Sequence, residues 1–530
     1  MPSRRRRLSS LPSPPKRTPT FVYVVLALLC LGGLYVSKQN LVKHISGTVV
    51  DAYTGQPLAG VTLDLTNDTA LAKTAGISLN DRASTDNEGK FDFPKATDNY
   101  SLTAQLNNYR KAEVKQSSAL STDVKLVPSI LRGQIKDQNG NGIASAYVTL
   151  GDLSVETAAD GSYSFSNPPE SGTINAHAAG FRRGTAQYSR TVRADVTLQP
   201  FQVKAVYLDP ADIATPGNLN NFLNSITNTG ITAVIVDLKD ESGKVLYDSK
   251  LPLAQTLLAG NDKRIPSLAA LLKTLQDHKL YTIGRIVCFK DPVMTDIKPD
   301  WTLKSRSTGK PWADAGGYNW INPYKRDSWD YYLGLAEEAG KAGFDEIQFD
   351  TLHFPVLGKL DDIDYQLQDG RTSNASTRQD TINAFLKAAR DKLSPLGVYT
   401  SVNVLGSALI ENDDLGIGMS VTAMAPNVDY ISPLIYPVEW QDGAFGIPKP
   451  TENPYELVRQ SMLSAQSQLK ERVAQVRPWL QDFSRGDIKY DETKVRDEIR
   501  AIEEFQQKGG SGWILYNPNS KYTVSALNVR

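Results

Sequence analysis

From Val203 to the C-terminus, short runs of β-branched and aromatic residues alternate with amphipathic stretches, and this rhythm constrains the fold more than any other feature of the chain. Eight runs stand out: Val203–Leu208, Ala233–Leu238, Thr282–Phe289, Glu346–Leu352, Tyr399–Leu405, Tyr430–Tyr436, Ala474–Leu480 and Gly512–Tyr516. Helical periodicity predicts helices between them, as at Leu268–His278, Arg326–Ala342, Arg378–Leu393, Pro454–Glu471 and Thr493–Lys508. Strand, helix and strand in succession make a parallel sheet, since a crossover of that length starts the next strand in the same direction. Eight such units over residues 201–530 predict a closed (β/α)8 TIM barrel. An open doubly wound sheet is the alternative.

The preceding residues carry an internal repeat. ISGTVVDAYTGQPLAGVTLDL (45–65) and LRGQIKDQNGNGIASAYVTL (131–150) share a strand, a Gly-rich turn and a second alternating strand. The echo continues from Ser84–Phe93 to Thr157–Phe165, and from Val124–Val127 to Val196–Gln199. Short alternating strands with Gly, Asn and Asp turns predict two small all-β sandwiches, at 41–128 and 129–200. Their G-x-V-x-D, G-x-P-L-x-G-V and T-D-x-x-G-x-F patterns resemble the carboxypeptidase regulatory-like domain, a bacterial surface sandwich that usually acts as a spacer or weak binder. The second copy departs at Ile143-Ala-Ser-Ala146, where Pro-Leu-x-Gly is usual. Asp86-Asn-Glu-Gly89 and Asp160-Gly161 suit calcium, but tight turns need the same residues and are the preferred reading.

Arg4–Arg7 and Lys16-Arg17 precede an uncharged run, Phe21–Val36, bounded by Thr20 and Ser37. Basic residues ahead of such a run predict a cytoplasmic tail at 1–20 and a transmembrane signal-anchor at 21–37, making a single-pass cell-membrane protein whose bulk is extracytoplasmic. A cleaved signal peptide is the main rival, and a buried helix the lesser one. Charges balance at 58 basic and 58 acidic, so no nucleic acid partner is expected. Cys30 and Cys288 sit in the apolar run and in a predicted barrel strand, which makes an intramolecular disulfide implausible. Four scattered histidines offer no metal-ligand spacing, so neither metal nor cofactor is expected.

In a barrel the chemistry sits just beyond the C-terminal ends of the strands. Those positions hold Asp237-Leu-Lys239-Asp240-Glu241, Lys290-Asp291, Asp350-Thr-Leu-His353, Asn403, Tyr436-Pro-Val-Glu439-Trp440, Trp479-Leu-Gln481-Asp482 and Tyr516-Asn517. Carboxylates, amides and aromatic rings together describe a sugar site.

Six ordered blocks carry a second resemblance: VIVDLKDESGKVLY (234–247), GRIVCFKDP (284–292), NWINPY (319–324), GFDEIQFDTLHFP (343–355), APNVDYISPLIYP (425–437) and RPWLQDF (477–483). They resemble a bacterial family of glycoside hydrolase domains, which implies an α-amylase-like barrel acting on carbohydrate. Such hydrolysis needs one ionised and one protonated carboxyl group across the scissile bond. Asp350 is the first choice for the ionised member, because it follows the apolar strand where amylase-like barrels carry their nucleophile. Its acid partner is left open among Asp482, Asp237 and Glu439. Asn403 stands where the family commonly has Asp, and His353 where it has Arg, which raises the alternative of a degenerate barrel that binds surface glycans without cutting them. Lys239, Arg285 and Lys290 either steady the nucleophile or form structural ion pairs. Trp320, Trp440, Trp479, Tyr436 and Tyr516 are candidates for stacking on sugar faces, and Asn322 and Gln481 for hydrogen bonds to hydroxyls, with loop packing and bracing as the plainer alternatives. The expected activity is hydrolysis of a polysaccharide or oligosaccharide at O-glycosyl bonds, with a purely structural surface protein as the remaining possibility.

Overall fold

The structure is a computed structural model that describes residues 42–117, 123–258, 264–368, 371–411, 413–469, 474–506 and 512–527, with Val24 and Ala27. The expected tail and membrane-spanning run otherwise lie outside the described residues. Among the described residues no helix is long and apolar enough to cross a membrane.

Each repeat threads seven strands in one pattern. The first copy runs Lys43–Asp51, Thr62–Asn67, Asn80–Ser84, Lys90–Ala96, Asn99–Gln105, Ala112–Ser117 and Val124–Leu126. The second runs Ile130–Lys136, Tyr147–Leu150, Leu153–Glu156, Ser162–Ser166, Ser171–His177, Gly184–Ser189 and Val196–Thr197. In both, the first strand lies between the fourth and seventh in one sheet, and the other sheet has the order third, second, fifth, sixth. Period-two burial drives the folding of the first copy, where Ile45, Val49, Leu63, Leu65, Phe91, Phe93 and Leu102 from both sheets share one core. A buried threonine braces the same turn in each copy. Thr85 Oγ1 donates to the Leu58 carbonyl at 2.6 Å and accepts from the Val61 amide at 2.9 Å. Thr157 does the same with Ile143 and Ala146, at 2.6 and 2.8 Å. Asp86 and Asp160 accept backbone amides of their own turns, from Glu88, Lys90 and Ser162, as turn residues do.

Beyond Gln202 eight parallel strands close into a ring. They are β1 (Val203–Leu208), β2 (Ala233–Lys239), β3 (Tyr281–Val287), β4 (Glu346–Asp350), β5 (Tyr399–Leu405), β6 (Tyr430–Leu434), β7 (Gln475–Val476 and Trp479–Gln481) and β8 (Gly512–Tyr516). Each pairs with its successor, and β8 closes on β1 through Val203 opposite Gly512. The open-sheet alternative is thereby excluded. Helices follow the strands as α1 (Pro216–Ile226), α2 (Leu268–Asp277), α3 (Trp329–Ala342), α4 (Ala375–Leu393), α5 (Val421–Met424), α6 (Pro454–Leu469), α7 (Glu492–Gln506) and α8 (Val524–Leu527). Alternate strand residues face opposite ways, so Val234, Val236, Ile347 and Phe349 pack against the helices, while Ala205, Ile235, Ile283 and Ile514 fill the barrel.

Several strands stop short of their predicted ends. The apolar run through Leu352 breaks at Thr351, whose φ is 48°. β7 divides around Arg477-Pro478, where proline has no amide to give to the ladder. At Thr351 the backbone leaves the sheet as it reaches the face where the polar groups gather, whereas β7 resumes at Trp479 after its break.

The chain divides into two compact units. The first repeat belongs to one, and most of the second shares the other with the barrel. There the Gly180 amide donates to Tyr430 Oη at 2.9 Å, Tyr399 Oη donates to the Phe181 carbonyl at 2.7 Å, and Arg390 pairs with Glu156 at 3.1 Å. The second repeat thus covers the N-terminal ends of the barrel strands.

Candidate active site

At the opposite end, inward residues near the C-terminal ends of β1 to β5 and β7 make one continuous hydrogen-bonded chain. Arg285 on β3 is its centre. Its Nε and Nη2 donate to both oxygens of Asp237 on β2, at 2.5 and 2.9 Å, and its Nη1 donates to Asp350 Oδ2 on β4 at 2.6 Å. Tyr207 on β1 gives its hydroxyl proton to Asp237 at 2.8 Å. From the other side Asn403 Nδ2 on β5 donates to Asp350 Oδ2 at 2.8 Å, and Trp479 Nε1 on β7 fixes the amide by donating to Asn403 Oδ1 at the same distance. The Thr351 amide supplies another donor to Asp350, at 2.6 Å. Each of these contacts offers Asp350 a proton and none asks one of it, which suits an electron-pair donor. Burial opposes the Arg285 charge, but the adjoining Asp237 and Asp350 outweigh it and hold its pKa well above the ordinary value.

The chain opens into a cavity of about 400 Å³. Its lining takes in Arg285, Asp350, Asn403 and Trp479 from the network, and Trp320, His353, Tyr436 and Tyr516 around them. Tyr436 and Tyr516 stack at 5.6 Å between ring centroids, and Trp479 meets Tyr516 edge-on at 5.8 Å. His353 holds the Phe354 carbonyl through Nδ1 at 2.7 Å, and burial lowers its pKa, so a neutral ring with Nε2 as acceptor is favoured. Thr351 is a β-branched residue in the left-handed region, a strained conformation kept where surrounding structure imposes it.

Other residues singled out from the sequence lie elsewhere. Asp237 sits behind Arg285. Asp482 is buried and spent on Thr523, whose amide and hydroxyl each donate to it at 2.7 Å, and burial raises its pKa. Glu439 is half-exposed and paired with Arg485 at 2.6 Å. Lys239 is fully buried with Asp291 at 3.0 Å. A register shift between Asp237 and Lys239 explains this, since a bulge breaks the alternation that would have put both on one face. Asn322 braces a loop by donating to the Tyr365 carbonyl at 2.7 Å, and Gln481 another by donating to Phe483 at 2.7 Å. Trp440 packs on Phe445 with ring centroids 5.6 Å apart.

Two further acidic residues line the cavity: Asp314, which the sequence did not single out, and Glu241, which it placed after the second strand without a catalytic role. Asp314 is committed, accepting the Gly316 and Tyr318 amides through one oxygen and Trp320 Nε1 through the other at 3.0 Å. Glu241 is not, for its only charged contact among the described residues is Arg285 Nη1 at 3.8 Å.

A family profile described as "Putative glycosyl hydrolase domain" matches residues 205–522. The chain belongs to this glycosyl hydrolase family. Residues 44–127 match the carboxypeptidase regulatory-like domain. Among solved structures, a hypothetical protein from Ruminiclostridium thermocellum is 34% identical, over 37% of this chain and 96% of that one, with a TM-score of 0.33. The PgaB glycoside hydrolase domain from Bordetella bronchiseptica is 13% identical, over 62% of this chain and all (100%) of that one, at a TM-score of 0.42. The β-amylase catalytic domain from Paenibacillus polymyxa is 11% identical, over 62% and 95%, at 0.40. No curated protein matches the chain. Within the glycosyl hydrolase family's span lie all the cavity-lining residues named above, from Glu241 to Tyr516.

Proposed function

We propose that this family member hydrolyses O-glycosyl bonds of a polysaccharide or oligosaccharide by two-carboxylate chemistry, with Asp350 as the ionised member. The observation that carries the reading is Asp350 itself, a carboxylate fixed by Arg285, Asn403 and the Thr351 amide, with one edge turned into an aromatic-lined cavity. Indole and phenol rings offer flat apolar faces to the C–H side of a sugar ring, while Asn403, His353 and Arg285 offer polar groups to its hydroxyls. Asn403 is compatible with turnover, because its amide positions the carboxylate and need not be the acid. A carboxylate in its place would put a second negative charge against Asp350.

The basic residues before the uncharged run Phe21–Val36 support a membrane anchor, with the barrel and both repeats outside the cytoplasm and the repeats as spacers. The full chain and its Asp350→Asn variant are to be screened against a broad polysaccharide panel, with released sugars measured. Release by the parent and its loss in the variant, with ligand binding kept, is the expected result. Binding without products in the parent would make the barrel a glycan receptor, and neither binding nor release would leave a structural protein.

A further inference from the structure

Resting on that reading, we infer that Glu241 is the general acid and base that works with Asp350, and that the pair cleaves with retention of configuration. Glu241 lines the cavity with Asp350. Its side chain is 67% exposed, and no hydrogen bond from another described residue engages its carboxyl group, whereas both oxygens of Asp314 accept hydrogen bonds and those of Asp237 take Arg285 and Tyr207. A group that must give up a proton and recover it within one turnover needs that freedom.

The stereochemistry follows from a shared neighbour. Asp350 Oδ2 and Glu241 Oε1 both approach Arg285 Nη1, at 2.6 and 3.8 Å. Two atoms can lie no farther apart than the sum of their distances to a third. That sum caps one oxygen pair below the roughly 6.5 Å at which inverting spacing begins, and the close spacing of a retaining pair, about 5–5.5 Å, lies within it; retention is the reading we carry to the test. In the first step Asp350 therefore attacks the anomeric carbon, an ester bond forms, the glycosidic C–O bond breaks, and the Glu241 proton passes to the leaving oxygen. In the second, a water oxygen attacks the same carbon, its proton goes to the Glu241 carboxylate, and the ester bond to Asp350 breaks. Arg285 keeps its proton and stays between the two groups throughout.

The test uses the full chain, a panel of dinitrophenyl and methyl glycosides, and the variants Glu241→Ala and Glu241→Gln, with circular dichroism to verify folding. For the parent, proton NMR reads the anomer formed first, and retention is expected. Glu241→Ala should slow methyl glycosides by about 10²–10⁴-fold, yet release dinitrophenolate from the enzyme nearly as fast as the parent in its first turnover, since that leaving group needs no proton. Added azide should restore its turnover and give a glycosyl azide of retained configuration, a response that lost packing does not produce. Glu241→Gln should lose the alkaline limb of the pH–rate profile. Inversion, equal losses on both leaving groups, silence toward azide, or undiminished rates on methyl glycosides would each overturn the assignment while leaving glycoside hydrolysis in place. A parent that cleaves no member of the panel would overturn the proposed function and this inference with it.

Discussion

The two ends of the barrel hold the same chemical device and use it differently. At the N-terminal end Arg477 donates through Nη1 to both oxygens of Glu346, at 2.9 and 2.8 Å, Tyr281 adds a third donor at 3.0 Å, and the guanidinium lies 3.7 Å from the Tyr430 ring centroid. Both charged side chains there have no exposed surface, and the second β-repeat packs on the same end, its Gly180 amide on Tyr430 and its Phe181 carbonyl and His177 ring on Tyr399. At the C-terminal end Arg285 faces Asp237 and Asp350 at once, and the assembly opens into a cavity. One cation with one carboxylate leaves nothing over. One cation hydrogen-bonded to two, with Glu241 a third at 3.8 Å, leaves negative charge in surplus, and Asp350 and Glu241 bring it to the cavity. A buried arginine fork is thus no sign of function until the charge count and the access are known.

The sharpest way to break this contrast is to remove the surplus charge. Asp350→Asn should lower kcat/KM by at least about 10³-fold and leave the unfolding midpoint almost unmoved, because Arg285 keeps Asp237 and the amide oxygen still accepts. Released sugar and urea denaturation check the two halves. A stability loss as large as the activity loss would reduce Asp350 to a structural anion like Glu346.

Arg477→Met is the mirror experiment. It strands Glu346 without its partner in a dry interior, at a cost of about 3–5 kcal/mol. Turnover per folded molecule should not change. Adding Glu346→Leu should return most of the stability, since replacing both charges with apolar groups removes the desolvation cost along with the pairing. Impaired turnover in folded Arg477→Met would show that the two ends are coupled.

The sequence discloses these ends unequally. Short β-branched runs separated by helical stretches make the barrel legible, and position at the C-terminal end of a strand makes Asp350, Asn403, Tyr436 and Trp479 legible, because strand ends are where a barrel concentrates side chains. The same rule places Glu241 after the second strand, yet its role is not legible there. It sits in Asp240-Glu-Ser-Gly243, which reads as turn chemistry, and it is a turn, for Asp240 accepts the Ser242 and Lys244 amides and Gly243 has a φ of 87°. What turns Glu241 toward the site is Arg285 on the neighbouring strand, a contact between residues far apart in sequence. Lys239 misleads for the opposite reason, because the bulge that rotates it outward leaves no mark in composition. The Glu346–Arg477 pair is likewise hidden, Glu346 at a strand start and Arg477 in the break within β7, where no chemistry is expected.

A smaller effect separates the ends by pH. Burial holds His177 to a pKa of about 3 against an ordinary 6.5, and it packs edge-on against Tyr399. Between those values the unfolded chain binds a proton that the folded chain refuses, so stability falls as pH drops below about 6.5, by up to about 1.4 kcal/mol per pH unit. Asp429, raised by burial, has the opposite slope, its stability deficit growing as pH rises through the carboxylate range. Comparing the parent with His177→Phe isolates the histidine: the variant should lose less stability between pH 6.5 and 4, as read by denaturant midpoints. Identical pH profiles would mean that the underside of the barrel is wet.

The smallest effect expected is at Thr351, where the open end stores strain. Its φ of 48° disfavours a β-branched side chain, while its amide donates to Asp350 at 2.6 Å, so the strained peptide is part of what aims the carboxylate. Thr351→Gly removes strain worth about 1–3 kcal/mol and gives back part of it, about 0.5–1 kcal/mol, through the freer unfolded chain. A net stabilisation near 1 kcal/mol should therefore accompany a several-fold loss of kcat with KM little changed, since a looser peptide holds Asp350 less firmly in line with its target. A variant both more stable and fully active would show that the strain serves only the turn, and that Arg285 and Asn403 suffice to position the carboxylate.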